Sequence, residues 1–253
     1  MLRYWKIVCC ALLSLVLAQS VRAVDSQITV IEVDAANPPF MYGSASSAKG
    51  IYPALIETVF GMIGTPVSLS AKPWRRVLRN VDLGRAGVAG IYKNQQRSQK
   101  LDFSEPLFSE RIMVFYNRQH PVKVQGLADL EGKHIGVLAG WSYGDAFDLA
   151  RQDNHFTVSE ANSDAQNMAK LAAGRLDLVL AVEETGSAQV NLAHSKQINM
   201  LPVPLFKNLT YLAFNKKVHA TLLLQRFNAG LQELKETPQY NLIVKNALSA
   251  HPR

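Results

Sequence analysis

The chain has 253 residues, 48% of them hydrophobic and 19% charged, with a formal net charge of +7. That balance excludes an acidic or low-complexity disordered chain and fits one large or two smaller globular units. The only long apolar run lies at the extreme N-terminus, which excludes a polytopic membrane protein, and no period of a solenoid recurs.

In chain order, the first element is an address. Arg3 and Lys6 precede an apolar stretch from Ile7 to Ala18, and Val21-Arg22-Ala23 supplies small residues at a cleavage point. Residues 1–23 are therefore expected to be a cleaved secretory signal peptide that sends the protein to the periplasm. Both cysteines, Cys9 and Cys10, fall inside this segment, so the exported chain is expected to hold no disulfide and no thiolate metal site. Cleavage takes away Arg3, Lys6 and Arg22 and no acid, lowering the net charge of +7 by three. The remaining basic residues are scattered. Arg75, Arg76 and Arg79 form the densest group and carry no interleaved aromatics, so no nucleic-acid partner is expected.

The next segment, Gln27 to Val33, alternates and is rich in β-formers, which predicts a strand. Asn37-Pro38-Pro39 ends it, and residues 43–50 read as a polar loop. Leu55, Ile56, Val59, Phe60 and Ile63 recur at helical spacing, predicting a helix over Tyr52 to Ile63 stopped by Gly64. A short strand over Val67 to Ala71 follows. Pro73 opens a helix with Trp74, Val77 and Leu78, and Gly87 to Ile91 is a small-residue strand. This alternation implies parallel strands with helices on the sheet faces.

The rhythm then repeats. Strands are expected over His134 to Leu138, Thr157 to Glu160 and Leu176 to Val182. Helices are expected from about Asp145 to Arg151 and after a cap at Ser163 or Asp164, the second closed by Gly174. Ile112 to Tyr116 and Tyr211 to Phe214 are extended apolar runs, positioned as two crossings between two α/β lobes. The stripe Leu223, Phe227, Leu231 and Leu234 predicts a long helix, and Thr237-Pro238 caps a last one. No linker is long or Gly/Ser-rich, so the lobes should move as hinged bodies.

Enzyme signatures are missing: there is no H-E-x-x-H, G-x-S-x-G, P-loop or G-x-G-x-x-G. The six histidines stand apart, so no metal and no cofactor is expected. Three segments do carry recognition chemistry. Phe40 and Tyr42 follow Pro38-Pro39 at a strand's C-terminal end, where they form either a ligand wall or ordinary loop packing. Arg97 follows the strand and loop containing Gly90 and Tyr92. It offers either a bidentate fork for a ligand carboxylate or a surface ion pair with Glu105 or Glu110. Gly140-Trp141-Ser142-Tyr143-Gly144 joins a strand to a helix start, where backbone N–H groups attract an anion and the aromatics offer flat faces; a tight turn with core aromatics is the alternative.

These residues resemble an ordered set. Pro39-Phe40 is followed by Gly50-Ile-Tyr-Pro-Ala-Leu55, Pro73-Trp74-Arg75-Arg76, and Arg97 with Asp102-Phe-Ser-Glu-Pro106. Asp129-Leu-Glu-Gly-Lys-His-Ile-Gly-Val-Leu-Ala-Gly140 and Leu171-Ala-Ala-Gly-Arg-Leu-Asp177 complete it. In that order they resemble extracytoplasmic solute-binding proteins of family 3, the group typified by polar amino-acid receptors of ABC importers, in a divergent branch. The resemblance implies a two-lobe α/β periplasmic-binding-protein (Venus flytrap) fold with two crossings. Lobe 1 would comprise residues 24–114 plus 209–253, and lobe 2 residues 115–208.

It also implies that Arg97 clamps a ligand carboxylate, that Ser142 assists, and that Gly90, Tyr92, Trp74, Trp141 and Tyr143 line the cleft. An aspartate that binds the α-ammonium in amino-acid receptors falls on Val182, with Glu183 or Glu184 as substitutes one or two residues on. The implied partners are a small carboxylate solute and an ABC permease in the inner membrane, with the chain itself a monomer. The rival readings are a periplasmic lyase or dehydratase on the same scaffold, using Glu183, Glu184 or Asp145, and a ligand-sensing subunit.

Overall fold

The structure is a computed structural model and describes residues 28–250; the expected signal peptide, 1–23, lies outside the described residues. The first half opens with β1 (Thr29–Asp34), a small hairpin sheet of β2 (Ala36–Asn37), β3 (Met41–Ser44) and β4 (Ser47–Lys49), and α1 (Ile51–Met62). It continues through β5 (Val67–Lys72), α2 (Trp74–Asp82), β6 (Gly87–Tyr92), α3 (Gln95–Lys100) and β7 (Leu101–Phe103). A ten-residue strand, β8 (Phe108–Asn117), leads out of it. The second half holds β9 (His134–Leu138), α4 (Asp145–Gln152), β10 (Thr157–Ala161), α5 (Asp164–Ala172), β11 (Leu178–Val182), α6 (Glu183–Gln189) and β12 (Ile198–Met200). The return strand β13 (Phe206–Asn215) precedes α7 (Thr221–Lys235) and α8 (Pro238–Ser249).

The main sheet has the order β10-β9-β11-β8-β13-β6-β1-β5. Its two ends are parallel: β1 pairs with β5 and β6, and β9 with β10 and β11. The middle is antiparallel, with β8 on β11 and β13, and β13 on β6. Two parallel α/β units are thus joined through the strands β8 and β13. Strands β6 and β11 are buried at every residue, as strands covered by helices on both faces must be.

Helix α1 presents Leu55, Ile56, Val59 and Phe60 to the core, all at 0% exposure, and Phe60 meets Phe227 of α7 at 5.6 Å between ring centroids. Each such side chain contributes about 1.5–3 kcal/mol by leaving water. Its observed limits lie within one residue of the predicted ones.

Two local readings change. Residues 43–50, read as a loop, contain a hairpin in which Gly43 pairs with Ala48 and Ser44 with Ser47. Its residues are mostly exposed, so no apolar alternation marks it. Helix α3 carries no buried residue and therefore no hydrophobic period; Asn94 starts it, its side chain accepting from the Arg97 N–H at 2.8 Å.

Candidate ligand site between the two sheet halves

In a parallel α/β unit the carboxyl ends of the strands and the following helix starts form the binding edge. Here those edges face each other. The first half brings Asp34 (end of β1), Pro73 and Trp74 (after β5), and Tyr92 to Arg97 (after β6). The second brings Leu138 to Tyr143 (after β9), Ala161 to Asp164 (after β10) and Val182 to Glu184 (after β11). Between them lies a cavity of about 360 Å³, walled by Asp34, Pro73, Trp74 and Arg75 on one side and by Leu138, Ala139, Trp141, Ala161 and Asn162 on the other.

The Gly140 carbonyl is the meeting point of the two halves. It accepts from Trp74 Nε1 at 3.2 Å and from Arg97 Nη2 at 3.2 Å. Arg97 Nη1 donates to the Tyr92 carbonyl at 2.7 Å, so the guanidinium spans both halves through backbone oxygens. Burial lowers its pKa to about 10, which leaves it a cation at neutral pH. Gly140 has φ of +75°, a left-handed conformation that a side chain would strain. Asn94 adds donors across the gap, to Ser142 Oγ and to Asp148, each at 3.1 Å. Asp145 accepts from the Gln95 N–H at 2.7 Å, and Arg75 pairs with Glu160 at 3.0 Å.

The aromatic residues divide between wall and core. Trp141 stands 6.2 Å from Trp74 and edge-on to Tyr92 at 5.4 Å, centroid to centroid. Phe40 does not reach the cavity: it is fully buried, stacked on Tyr52 and tilted on Phe108, each at 5.8 Å. Tyr143 is also interior, its hydroxyl accepting from the Leu138 N–H and donating to the Leu180 carbonyl. Gly90 touches the Tyr52 ring rather than the cleft; a Cβ there would lie 2.5 Å from that ring. Tyr42 is half-buried on β3. Ser142 donates its hydroxyl to Asp148 and accepts from Asn94 and the Gly144 N–H, so it is built into the second half's turn.

Two buried acids, Asp34 and Asp164, are not among the site residues expected from the sequence, and Glu110, expected as a surface partner of Arg97, is enclosed instead. Asp34 is 7% exposed, accepts from the Ala36 N–H, and is pushed up to a pKa of about 6 by burial. Asp164 is 8% exposed and is likewise raised to about 6 by burial, against a hydrogen bond from Thr185, with the charge of Asp34 adding a smaller push upward. Glu110 of β8 is fully enclosed, with the Tyr52 and Tyr92 hydroxyls both donating to it; burial raises it to about 7 against those two bonds. Glu184 raises it further, and Glu183 pairs with Arg111 at 2.9 Å. The one signal in the sequence was the position of Asp34, directly at the end of an apolar strand. Among the described residues no group of histidines, cysteines and acids is arranged to hold a metal, and no helix is long and apolar enough to cross a membrane.

A mixed α/β sheet of two parallel units, joined by antiparallel strands and enclosing a cavity between their carboxyl edges, defines a periplasmic-binding-protein fold. Residues 29–249 match the family of bacterial extracellular solute-binding proteins, family 3, and the chain belongs to that family. A curated relative is the L-cystine-binding protein TcyJ of Escherichia coli K12, 23% identical over 154 residues; the match spans 60% of this chain and 57% of that protein's length. Among solved structures, a histidine kinase sensor domain similar to periplasmic binding proteins superposes with a TM-score of 0.76 at 21% identity, covering 88% of this chain and 96% of the other. The amino-acid ABC transporter substrate-binding protein AbpA of Streptococcus pneumoniae, bound to L-arginine, gives 0.71 at 19% identity, with 89% and 96% covered. An ancestral arginine-binding protein bound to arginine gives 0.72 at 20% identity, with 87% and 97% covered.

Proposed function

We propose that this chain is exported by its residues 1–23, captures a small amino-acid-like solute in the periplasm, and delivers it to an ABC importer. The two lobes of the proposal are residues 24–114 with 209–253, and residues 115–208, hinged through β8 and β13. The observation that carries the reading is the cavity of about 360 Å³, whose walls come from both units and join two tryptophan faces to a carboxylate. Its size suits an amino acid rather than a peptide or polymer.

Arg97 supplies the anion-binding end of the proposal: it stands outside that cavity's lining, on a smaller pocket of about 190 Å³ that Gly140 also borders. Its Nη2 bond to the Gly140 carbonyl is the one that a ligand carboxylate takes over, while Nη1 stays on the Tyr92 carbonyl and fixes the fork. With both partners charged, that bond is stronger than the one to the neutral carbonyl that it replaces. Asp34 supplies the opposite charge at the cavity wall. A solute touching both walls binds the closed arrangement better than an open one and so shifts the hinge equilibrium by that difference. L-Cystine and L-arginine, named for the relatives, carry both kinds of charge.

Native mass spectrometry of the purified mature protein tests this, backed by thermal shifts with a panel of amino acids and organic acids. A co-purified solute bearing a carboxylate, or a concentration-dependent rise in melting temperature, is the expected result. Absence of both across the panel overturns the reading. Conversion of a bound compound to product replaces it with the lyase or dehydratase alternative.

A further inference from the structure

We infer that the outer face of α2, with the adjoining rim at the start of β1, is a docking surface for an anionic phospholipid bilayer.

Helix α2 buries Trp74, Val77 and Val81 and turns Arg75, Arg76 and Arg79 outward. Together with Asn80 and Arg85 these three arginines wall an open depression of about 670 Å³ that no acid lines. Asn80 is occupied, its amide donating to both oxygens of the buried Glu32. Arg75 is drawn to Glu160 at 3.0 Å. Arg76, Arg79 and Arg85 are exposed, and none of them forms an ion pair among the described residues. The exposed acid of the helix, Asp82, lines the smaller pocket with Arg97 and Lys100 instead. Cations gathered in this way repel one another, and an anionic surface laid against them removes that cost.

Arg85 also borders a second depression, of about 370 Å³, at the starts of β1 and β6. There Ile28, Val30 and Val218 are 40–59% exposed, with His219 on the same rim. Aliphatic side chains beside unpaired guanidiniums match the two layers of a bilayer surface: phosphates for the cations, and the headgroup–acyl boundary for the apolar groups. An acidic protein would need fixed carboxylates matched to several long, exposed side chains, whereas lipid phosphates rearrange to meet them. The course of the chain agrees. The apolar run Ile7 to Ala18 leads into the described structure at Ile28, on this rim, so a leader seated in the membrane tethers the fold by this face.

The test is cosedimentation of the mature protein, prepared without residues 1–23, with vesicles of phosphatidylglycerol and phosphatidylcholine, against vesicles of phosphatidylcholine alone. Two double variants divide the face: Arg76→Glu with Arg79→Glu, and Ile28→Ser with Val218→Ser. A control, Lys123→Glu with Lys196→Glu, makes the same change of charge at exposed positions of the second unit. The expected result is binding to the anionic vesicles only, weakened at least tenfold by the arginine pair, about threefold by the apolar pair and less than twofold by the control. Salt at about 0.5 M should release the protein. No sedimentation with anionic vesicles, equal sedimentation with neutral ones, or an equal loss in the control each overturns the inference. Retention on poly-L-glutamate as strong as on the vesicles, with the apolar pair binding like wild type, makes the face a site for an acidic protein and overturns it too. Solute affinity should be unchanged in both variants, because neither pair lines the solute cavity, so the solute-binding reading stands or falls separately.

Discussion

Replacing Glu110 with glutamine is expected to change how stability depends on pH. Glu110 is 1% exposed, and its carboxylate accepts from the Tyr52 and Tyr92 hydroxyls. Burial nevertheless moves its pKa from 4.5 to about 7. A carboxyl that keeps its proton longer in the folded chain than in the unfolded one stabilises the fold fully below pH 4.5; that contribution is lost as pH rises through about 7. The whole loss is about 3 kcal/mol, of which most falls between pH 5 and pH 8. Glutamine has the same shape and no proton to lose. Asp34 and Asp164, both raised to about 6, add a slope of the same sign, but they are present in both proteins and cancel in the difference. Urea unfolding followed by circular dichroism at pH 5 and pH 8 reads this directly. Between the two pH values the stability of Glu110→Gln relative to wild type should rise by about 2–3 kcal/mol. A change below about 1 kcal/mol would show that Glu110 ionises in the fold as easily as in water, and the argument from its enclosure would fail.

Four further substitutions separate recognition from packing. Arg97→Ala should weaken any carboxylate solute at least tenfold, about 1.4 kcal/mol, in titration calorimetry; an unchanged affinity removes it from the site. Trp74→Phe keeps an aromatic wall but loses the donor to the Gly140 carbonyl, and solute affinity should fall by about 1 kcal/mol; a fall no larger than that of a remote surface variant speaks against the bridge. Phe40→Ala empties a fully buried site against Tyr52 and Phe108, and the denaturation midpoint should report a loss of about 3–5 kcal/mol. Normal stability with lost binding would make Phe40 a wall residue after all. Gly90→Ala forces a side chain onto a backbone at φ +82° and within 2.5 Å of the Tyr52 ring, a cost of about 2–4 kcal/mol readable by calorimetric melting.

Much of the architecture is local information. The spacing of Leu55, Ile56, Val59 and Phe60 specifies a helix with one buried face wherever it packs, and the unbroken apolar run of Leu178 to Val182 specifies a strand covered on both sides. Arg97 and Trp141 were legible as candidates because their neighbours place them at strand-to-helix turns. Phe40 occupies a comparable position, but its ring turns inward: Tyr52 and Phe108, distant in the chain, fill that direction with apolar surface.

The sequence by itself therefore determined the alternation of strands and helices, the family, and the residues available at the binding edge, because periodicity and turn chemistry act over a few residues. Only the tertiary structure decided which of those residues face the gap. It joins Trp74 and Arg97 at the Gly140 carbonyl, encloses Glu110 between two phenols, and buries Asp164 with its Oδ1 lacking a hydrogen-bond partner. Charge compensation and solvent exclusion depend on groups brought together from separate elements, and no stretch of sequence contains that distance.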